Sequence, residues 1–137
     1  MAETVLALDV GERRIGVAVG EMGFAFPVET IHRTNIKEDL ARIVAIAAER
    51  MARTIVVGDP LTLAGTRALA AEKIDAFVVH LARVYDGAIE RIDERLTTAA
   101  ATRSLIAADV SRAKRKQVVD QLAAVGILET WLARKTR

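Results

Sequence analysis

The chain has 137 residues, no cysteine, two histidines and a formal net charge of +2. Without cysteine it has no disulfide framework, thiolate zinc site or cysteine nucleophile. With two histidines, a histidine-based metal site or a Ser-His-Asp triad is not favoured. The length predicts a single domain over residues 1–137. Because there is no signal peptide and no apolar run of ~18 residues, we expect a cytoplasmic protein without a membrane partner.

The first part of the chain predicts an antiparallel meander of three strands. Apolar runs cover residues 4–10, 15–20 and 24–31, and short glycine-containing turns separate them. Pro27 lies within the third run. Because proline cannot donate to a strand ladder, this position predicts an edge strand or a bulge.

The rest of the chain alternates helical periodicity with short apolar strands. Asn35 followed by Glu38 resembles a capping box at the start of the first helix. In chain order the predicted elements are a helix at about 36–51, a strand at 54–58, a helix at 66–85, a strand at 88–93, a short helix from 97 or 98 to about 108 and a helix at 118–133. This order predicts an α/β protein with a mixed five-stranded sheet, whose later strands are parallel and whose faces carry helices.

Asp9 is the most informative residue of the sequence. It lies inside an otherwise apolar strand, where a charged side chain is costly to bury without a partner or a metal. The structural alternative is an aspartate that caps the turn at Gly11.

Two further segments supply carboxylates. Asp93 and Glu94 follow the last predicted strand, and alternation of side chains lets only one of them face Asp9. Asp120 falls in the first turn of the predicted last helix, where the helix dipole alone would explain an acid. These three places can converge at one end of a sheet, and a cluster of carboxylates favours Mg²⁺ or Mn²⁺.

The charge is unevenly distributed. Residues 1–102 carry 12 basic and 15 acidic side chains, whereas residues 103–137 carry 8 and 3. A basic run precedes the last predicted helix and consists of Arg112, Lys114, Arg115 and Lys116. Such a run favours contact with phosphates without sequence specificity, although a solvated basic tail is the alternative.

Four motifs in order resemble those of the YqgF family, also called RuvX. They are LDVGERRIGVAV at 8–19, VVGDPL at 56–61 with GT at 65–66, DERLTT at 93–98, and KRK at 114–116 followed by Asp120, Ala123-Ala124 and Ile127-Leu128. The resemblance covers nearly the whole chain.

This resemblance implies an RNase H-like fold and a cytoplasmic nuclease of bacteria. The family is associated with maturation of the 5′ end of pre-16S ribosomal RNA and is likened to Holliday-junction resolvases. Its catalytic, metal-binding acids map by motif onto Asp9, Glu94 and Asp120, so that the motif, and not spacing, selects Glu94 over Asp93. We assign Arg13 and Arg14, together with the basic run, to nucleic-acid binding.

The second motif departs from the family pattern, because Asp59 occupies the apolar position of Gly-Leu-Pro. If Asp59 faces the site it adds charge there, and if it faces solvent it is a helix cap. Two other functions stay open at this point, a non-catalytic RNA- or protein-binding module and a fragment of an actin- or sugar-kinase-like ATPase. RNA and DNA also stay open as substrates, and a junction resolvase would be expected to act as a two-fold homodimer.

Overall fold

The computed structural model describes residues 3–59, 69–93 and 112–135. Their elements, in chain order, are the strands β1 (Val5–Val10), β2 (Arg14–Glu21) and β3 (Phe24–His32), the helix α1 (Ile36–Arg50), the strand β4 (Thr54–Asp59), the helix α2 (Leu69–Val84), the strand β5 (Ala88–Asp93) and the helix α3 (Arg112–Lys135). The short helix predicted up to residue 108 falls outside the described residues, as does the predicted start of the second helix at 66. The other predicted elements are present.

The five strands form one mixed sheet in the order β3-β2-β1-β4-β5. The first three strands pair antiparallel, and β1, β4 and β5 pair parallel. Pro27 lies on the edge strand β3 opposite Ala18, next to a shift of register between Val17 and Ala18. The predictions of a mixed sheet and of an edge position for Pro27 are both confirmed.

Helices cover both faces of this sheet. On one face, buried side chains of α1 and α2 pack against alternate residues of β1, β2 and β4, among them Leu8, Ile15 and Val57. On the other face α3 packs against the residues between them, such as Ala7 and Val56. Side chains alternate between the two faces along a strand, so the position of any other strand residue follows from these two sets. We call the two faces the α1/α2 face and the α3 face.

The start of α1 follows the sequence signal. The side chain of Asn35 accepts a hydrogen bond from the Glu38 N–H at 2.9 Å, which satisfies one of the free donors of the first turn. The cap at Asn35 is therefore confirmed, while the Glu38 carboxylate accepts a hydrogen bond from Thr34 Oγ1. The buried residues Leu40, Ile43 and Ala47 recur at helical spacing in the sequence and form the apolar face of this helix.

The last helix differs from its prediction in two ways. It begins at Arg112 and not at 118, so Asp120 lies in its third turn, and the first-turn dipole explanation for that acid is wrong. The spacing of Val118, Leu122, Val125 and Trp131 in the sequence predicts a core stripe, but Leu122, Val125 and Trp131 are only partly buried and the observed stripe is rotated from them. Its fully buried members are Ala123, Ala124, Ile127 and Leu128.

Small side chains explain this rotation. The small side chains of Ala123 and Ala124 let the helix approach the sheet closely. The larger Trp131 is only partly buried, and its Nε1–H donates to Glu90 of β5 at 3.2 Å. Within the described ranges no helix has both the length and the apolar character needed to cross a bilayer.

Candidate active site

Asp9 lies on the α3 face of the sheet, near the carboxyl end of β1. Its side chain points to the same face of the sheet as those of Val5 and Ala7, which pack against α3. Asp9 is 5% exposed. Its cross-strand partner on β2 is Gly16. Directly opposed residues of an antiparallel pair are about 5 Å apart and point to the same face, so any group over Gly16 is also close to Asp9.

The backbone of Asp120 occupies the space over Gly16. A Cβ atom added to Gly16 would lie 1.9 Å from the Asp120 carbonyl oxygen and 2.9 Å from the Asp120 Cβ. The helix can pass this closely only because Gly16 has no side chain. The sheet and α3 thereby bring together Asp9 and Asp120, two of the three predicted metal ligands.

Arg14 contacts Asp120 directly. The guanidinium Nε donates to Asp120 Oδ2 at 2.8 Å, and the two side chains are 32% and 17% exposed. Arg14 lies two residues before Gly16 on β2, so its side chain points to the same face of the sheet, towards α3. One of the two arginines that we assigned to nucleic-acid binding is therefore an ion-pair partner of a predicted metal ligand.

The turn that carries these arginines is fastened to the start of α1 by Arg33. The Arg33 backbone N–H donates to the Arg13 carbonyl at 2.9 Å, and its Nη1 donates to the Gly11 carbonyl at 2.9 Å. The Arg33 Nε donates to Oδ2 of Asp39, a residue that is only 3% exposed. The sequence analysis did not predict this ion pair. Its one signal in the sequence was Asp39, an acid in the first turn of α1 that follows Arg33 by six residues.

A second tether holds the same turn to α2. Lys73 Nζ donates to Glu12 Oε1 at 2.8 Å, and this hydrogen bond lowers the pKa of the exposed Glu12 carboxyl below its ordinary value. Arg13, between Glu12 and Arg14, is exposed. It is therefore the arginine of the turn that is accessible to a large ligand.

Two other acids near this end of the sheet face away from Asp9. Asp59 pairs with Asp93 in the register of β4 and β5, and both share the alternation of residues in the α1/α2 core. Asp59 Oδ1 lies 3.1 Å from Arg91 Nη2, and Arg91 Nη1 lies 2.6 Å from Asp75 Oδ1 of α2. Asp59 is thus held in an ion pair, its side chain 13% exposed, on the face opposite to Asp9. The residues that it would cap lie outside the described ranges.

The remaining predicted site residues are not described in full. Glu94 lies outside the described residues, and for the basic run at Arg112, Lys114, Arg115 and Lys116 the helical backbone alone is described. Among the residues that are described there is no cluster of three His, Cys, Asp or Glu side chains able to hold a metal ion. The described donors are two aspartates, whose hard oxygen ligands suit Mg²⁺ or Mn²⁺, and one of them already binds a cationic side chain.

Sequence comparison identifies relatives over almost the whole chain. The model of the RuvX family, described as Holliday junction resolvase, matches residues 3–134. A protein of Myxococcus xanthus named "Putative pre-16S rRNA nuclease" is 43% identical over 129 residues, which are 93% of this chain and 85% of that protein. A protein of Clostridium novyi with the same name is 43% identical over 130 residues, 93% of this chain and 96% of its own length.

Comparison of structures agrees with the sequence. RuvC of T. thermophilus in complex with a Holliday junction substrate superposes with a TM-score of 0.61 at 12% identity, covering 98% of both chains. A second Thermus thermophilus RuvC structure gives a TM-score of 0.56 at 15% identity, covering 97% of this chain and 96% of that one. At such identities the likeness concerns the fold. The chain belongs to the RuvX family and has an RNase H-like fold.

Proposed function

We propose that this protein is a divalent-metal-dependent endonuclease that hydrolyses phosphodiester bonds in structured nucleic acid. The observation that carries the proposal is the convergence of Asp9 and Asp120. They belong to the first strand and the last helix, yet the contact between Gly16 and the Asp120 backbone holds them on one face of the sheet. The family match and the names of the relatives support the same class of reaction.

Asp9, Glu94 and Asp120 are the proposed ligands of Mg²⁺ or Mn²⁺. The orientation of Asp93 supports Glu94 as the third ligand, because Asp93 shares the α1/α2 face with Asp59 and so points away from Asp9. Bound divalent ions would activate a water molecule and stabilise the leaving oxygen, as in two-metal phosphodiester hydrolysis. The role of the three carboxylates would be to stay ionised and to hold the ions in place.

The proposed contacts to nucleic acid flank these acids. Arg13 is exposed on the turn that begins directly after β1, and the basic run from Arg112 to Lys116 forms the start of the helix that carries Asp120. Contacts of Lys and Arg with phosphates hold the backbone without reading base identity, which suits an enzyme that selects its substrate by shape.

The proposed substrates are the two that the family suggests, a 5′-extended pre-16S ribosomal RNA and a four-way DNA junction. In either role we propose that residues 1–137 act as a single nuclease domain in the cytoplasm, with nucleic acid as the partner and no membrane. Junction resolution would further require a homodimer, because two strands must be cut symmetrically.

The experiment that tests this function offers both substrates to the same preparation. A labelled four-way junction and a labelled 5′-extended 16S precursor fragment are incubated with Mg²⁺, with Mn²⁺ and with EDTA. We expect cutting of at least one substrate with metal and none with EDTA, and the preferred substrate identifies the role. Binding that is unaffected by EDTA, with no cutting under either metal, would contradict the nuclease and favour a binding module.

A further inference from the structure

The ion pair between Arg14 and Asp120 gives a proposed metal ligand a cationic partner from the protein itself. Arg14 Nε lies 2.8 Å from Asp120 Oδ2, a normal distance for a charge-assisted hydrogen bond. The Asp120 side chain is 17% exposed, so solvent screens this pair less than it screens a surface pair. Asp9, on the same face, adds a second negative charge close by.

The Arg14 side chain is partly accessible to solvent. Arg14 is the first residue of β2, next to the turn, and about a third of its side chain is exposed. Its neighbour Arg13 has the same side chain but is exposed, and the described contact of Arg13 is made by its backbone carbonyl with the Arg33 N–H. The two arginines therefore differ in what they can do, although the sequence presents them as equivalent.

We propose that Arg14 is an exchangeable counter-cation of Asp120: it neutralises this carboxylate until a divalent ion binds, and it is then released to contact a phosphate of the nucleic acid. This inference rests on the proposed function, because it takes Asp120 as a metal ligand. It assigns to Arg14 a coupling role that is separate from phosphate binding by the exposed Arg13 and the basic run.

The physical basis is repulsion between two cations that compete for one carboxylate. A guanidinium at hydrogen-bond distance from Asp120 and a divalent ion on the same side chain repel each other, so each weakens the binding of the other. A released guanidinium can instead form a bidentate pair with a phosphate, a geometry that a lysine ammonium cannot reproduce. By thermodynamic reciprocity, nucleic acid that binds the released Arg14 must also strengthen metal binding.

The first test measures Mn²⁺ affinity of the full chain by titration calorimetry, without nucleic acid. Arg14→Gln should bind Mn²⁺ roughly tenfold more tightly than the wild type, the order of magnitude that repulsion between a unit charge and a dication about 5 Å apart gives in water. Arg13→Gln removes the same charge one residue away and should leave Mn²⁺ affinity within about twofold of the wild type. Arg14→Lys keeps the charge and should also stay close to the wild type.

The second test is made on the wild-type protein, so its result does not depend on the folding of a variant. The Nε–H resonance of Arg14 is followed by NMR in ¹⁵N-labelled wild-type protein during a Mg²⁺ titration, and its assignment is checked by its loss in Arg14→Lys. We expect a resonance protected from exchange with water when no metal is present, which shifts and loses that protection as Mg²⁺ saturates the protein.

The outcomes separate this inference from the proposed function. Wild-type protein that binds Mn²⁺ and cleaves, with an Arg14→Gln affinity equal to or weaker than its own, would overturn the exchange and leave the nuclease intact. Equal tightening in Arg13→Gln, or an Arg14 resonance unchanged at saturating Mg²⁺, would also overturn the exchange alone. Wild-type protein that binds no divalent metal and cleaves nothing would overturn both.

Discussion

Gly16 of β2 lies directly beneath the backbone of Asp120 of α3, so close that a Cβ atom on Gly16 would stand 1.9 Å from the Asp120 carbonyl oxygen. The contact is with backbone and not with the end of a flexible side chain, so it cannot be relieved by a change of rotamer. This close approach lets the helix lie against the strand that pairs with Asp9, and it thereby brings two proposed metal ligands to one face of the sheet.

Gly16→Ala should therefore displace α3 and disturb the site. We expect a loss of about 1–3 kcal/mol in the free energy of unfolding, the range for overpacked cores, and a larger loss of cleavage than this destabilisation explains. Gly20→Ala is the matched control, since its Cβ would meet the side chain of Leu128 at 3.2 Å, which can adjust. Urea unfolding and cleavage of both variants check this, and equal behaviour of the two would contradict the assigned role of Gly16.

Asp39→Ala should destabilise the protein by about 3 kcal/mol, the low end for removing one partner of a buried ion pair. Asp39 accepts hydrogen bonds from Arg33 Nε at 3.0 Å and from the Thr34 N–H at 3.1 Å, and both would be left without this acceptor. Because Arg33 also holds the Gly11 carbonyl, the turn that carries Arg13 and Arg14 should become more mobile. Urea unfolding measures the stability, and hydrogen exchange at residues 11–14 measures the mobility.

Glu38→Ala is the control for this variant, because within the described part of the chain the Glu38 carboxylate accepts an exposed hydrogen bond, from Thr34 Oγ1 at 2.8 Å. Its cost should stay below about 1 kcal/mol, as for exposed pairs. A similar cost for the two variants would show that burial of the Asp39 pair does not matter.

The ion pair between Glu29 and Arg42 should make part of the stability depend on pH. Hydrogen bonds from Arg42 hold the pKa of Glu29 below its ordinary value of 4.5 in the folded protein. A lowered folded pKa means that the stabilisation is complete above pH 4.5 and disappears as the pH falls through the lowered value. Both side chains are partly exposed, so we expect only about 0.5 kcal/mol.

Unfolding of the wild type and of Glu29→Gln between pH 7 and pH 3 measures this dependence. The difference in unfolding free energy between the two proteins should be constant near neutral pH and should shrink towards the acid end of the range. A difference that grows as the pH falls would contradict the assignment.

Reversing the charges of Lys114, Arg115 and Lys116 to Glu should weaken binding of nucleic acid and flatten its salt dependence. If all three contact phosphates, the slope of log K against log salt should fall by about 2–3 units. The same change at Arg50, Arg53 and Arg83 is the matched control, because these exposed residues lie at the opposite end of the sheet from Asp9. An unchanged slope in the first triple variant would remove the basic run from the binding path.

The sequence determines the sheet more fully than the site. The apolar runs of the strands, the cap at Asn35 and the edge position of Pro27 are local features, and each is confirmed. The predicted start of α3 was wrong because the polar residues before 118 show no helical spacing of apolar residues. Arg and Lys are nevertheless good helix formers, and the helix begins at Arg112.

The parts of the site that the sequence could not give depend on contacts between distant segments. Nothing local distinguishes Arg14, which binds Asp120, from the exposed Arg13, since the difference arises only when β2 lies against α3. The ion pair of Asp59 with Arg91 depends in the same way on the parallel register of β4 and β5. The sequence led us to expect Asp9 and Asp120 at one end of the sheet, whereas the Arg14 partner of Asp120 became evident only in the structure.

The most direct test of the central claim is metal-dependent cleavage by Asp9→Asn compared with the wild type, with substrate binding measured on both. Asparagine keeps the shape of the buried side chain and removes its charge, so the account predicts a folded variant that binds nucleic acid and does not cleave it in Mg²⁺ or Mn²⁺. An Asp9→Asn protein that cleaves at the wild-type rate would contradict the assignment of Asp9 as a metal ligand.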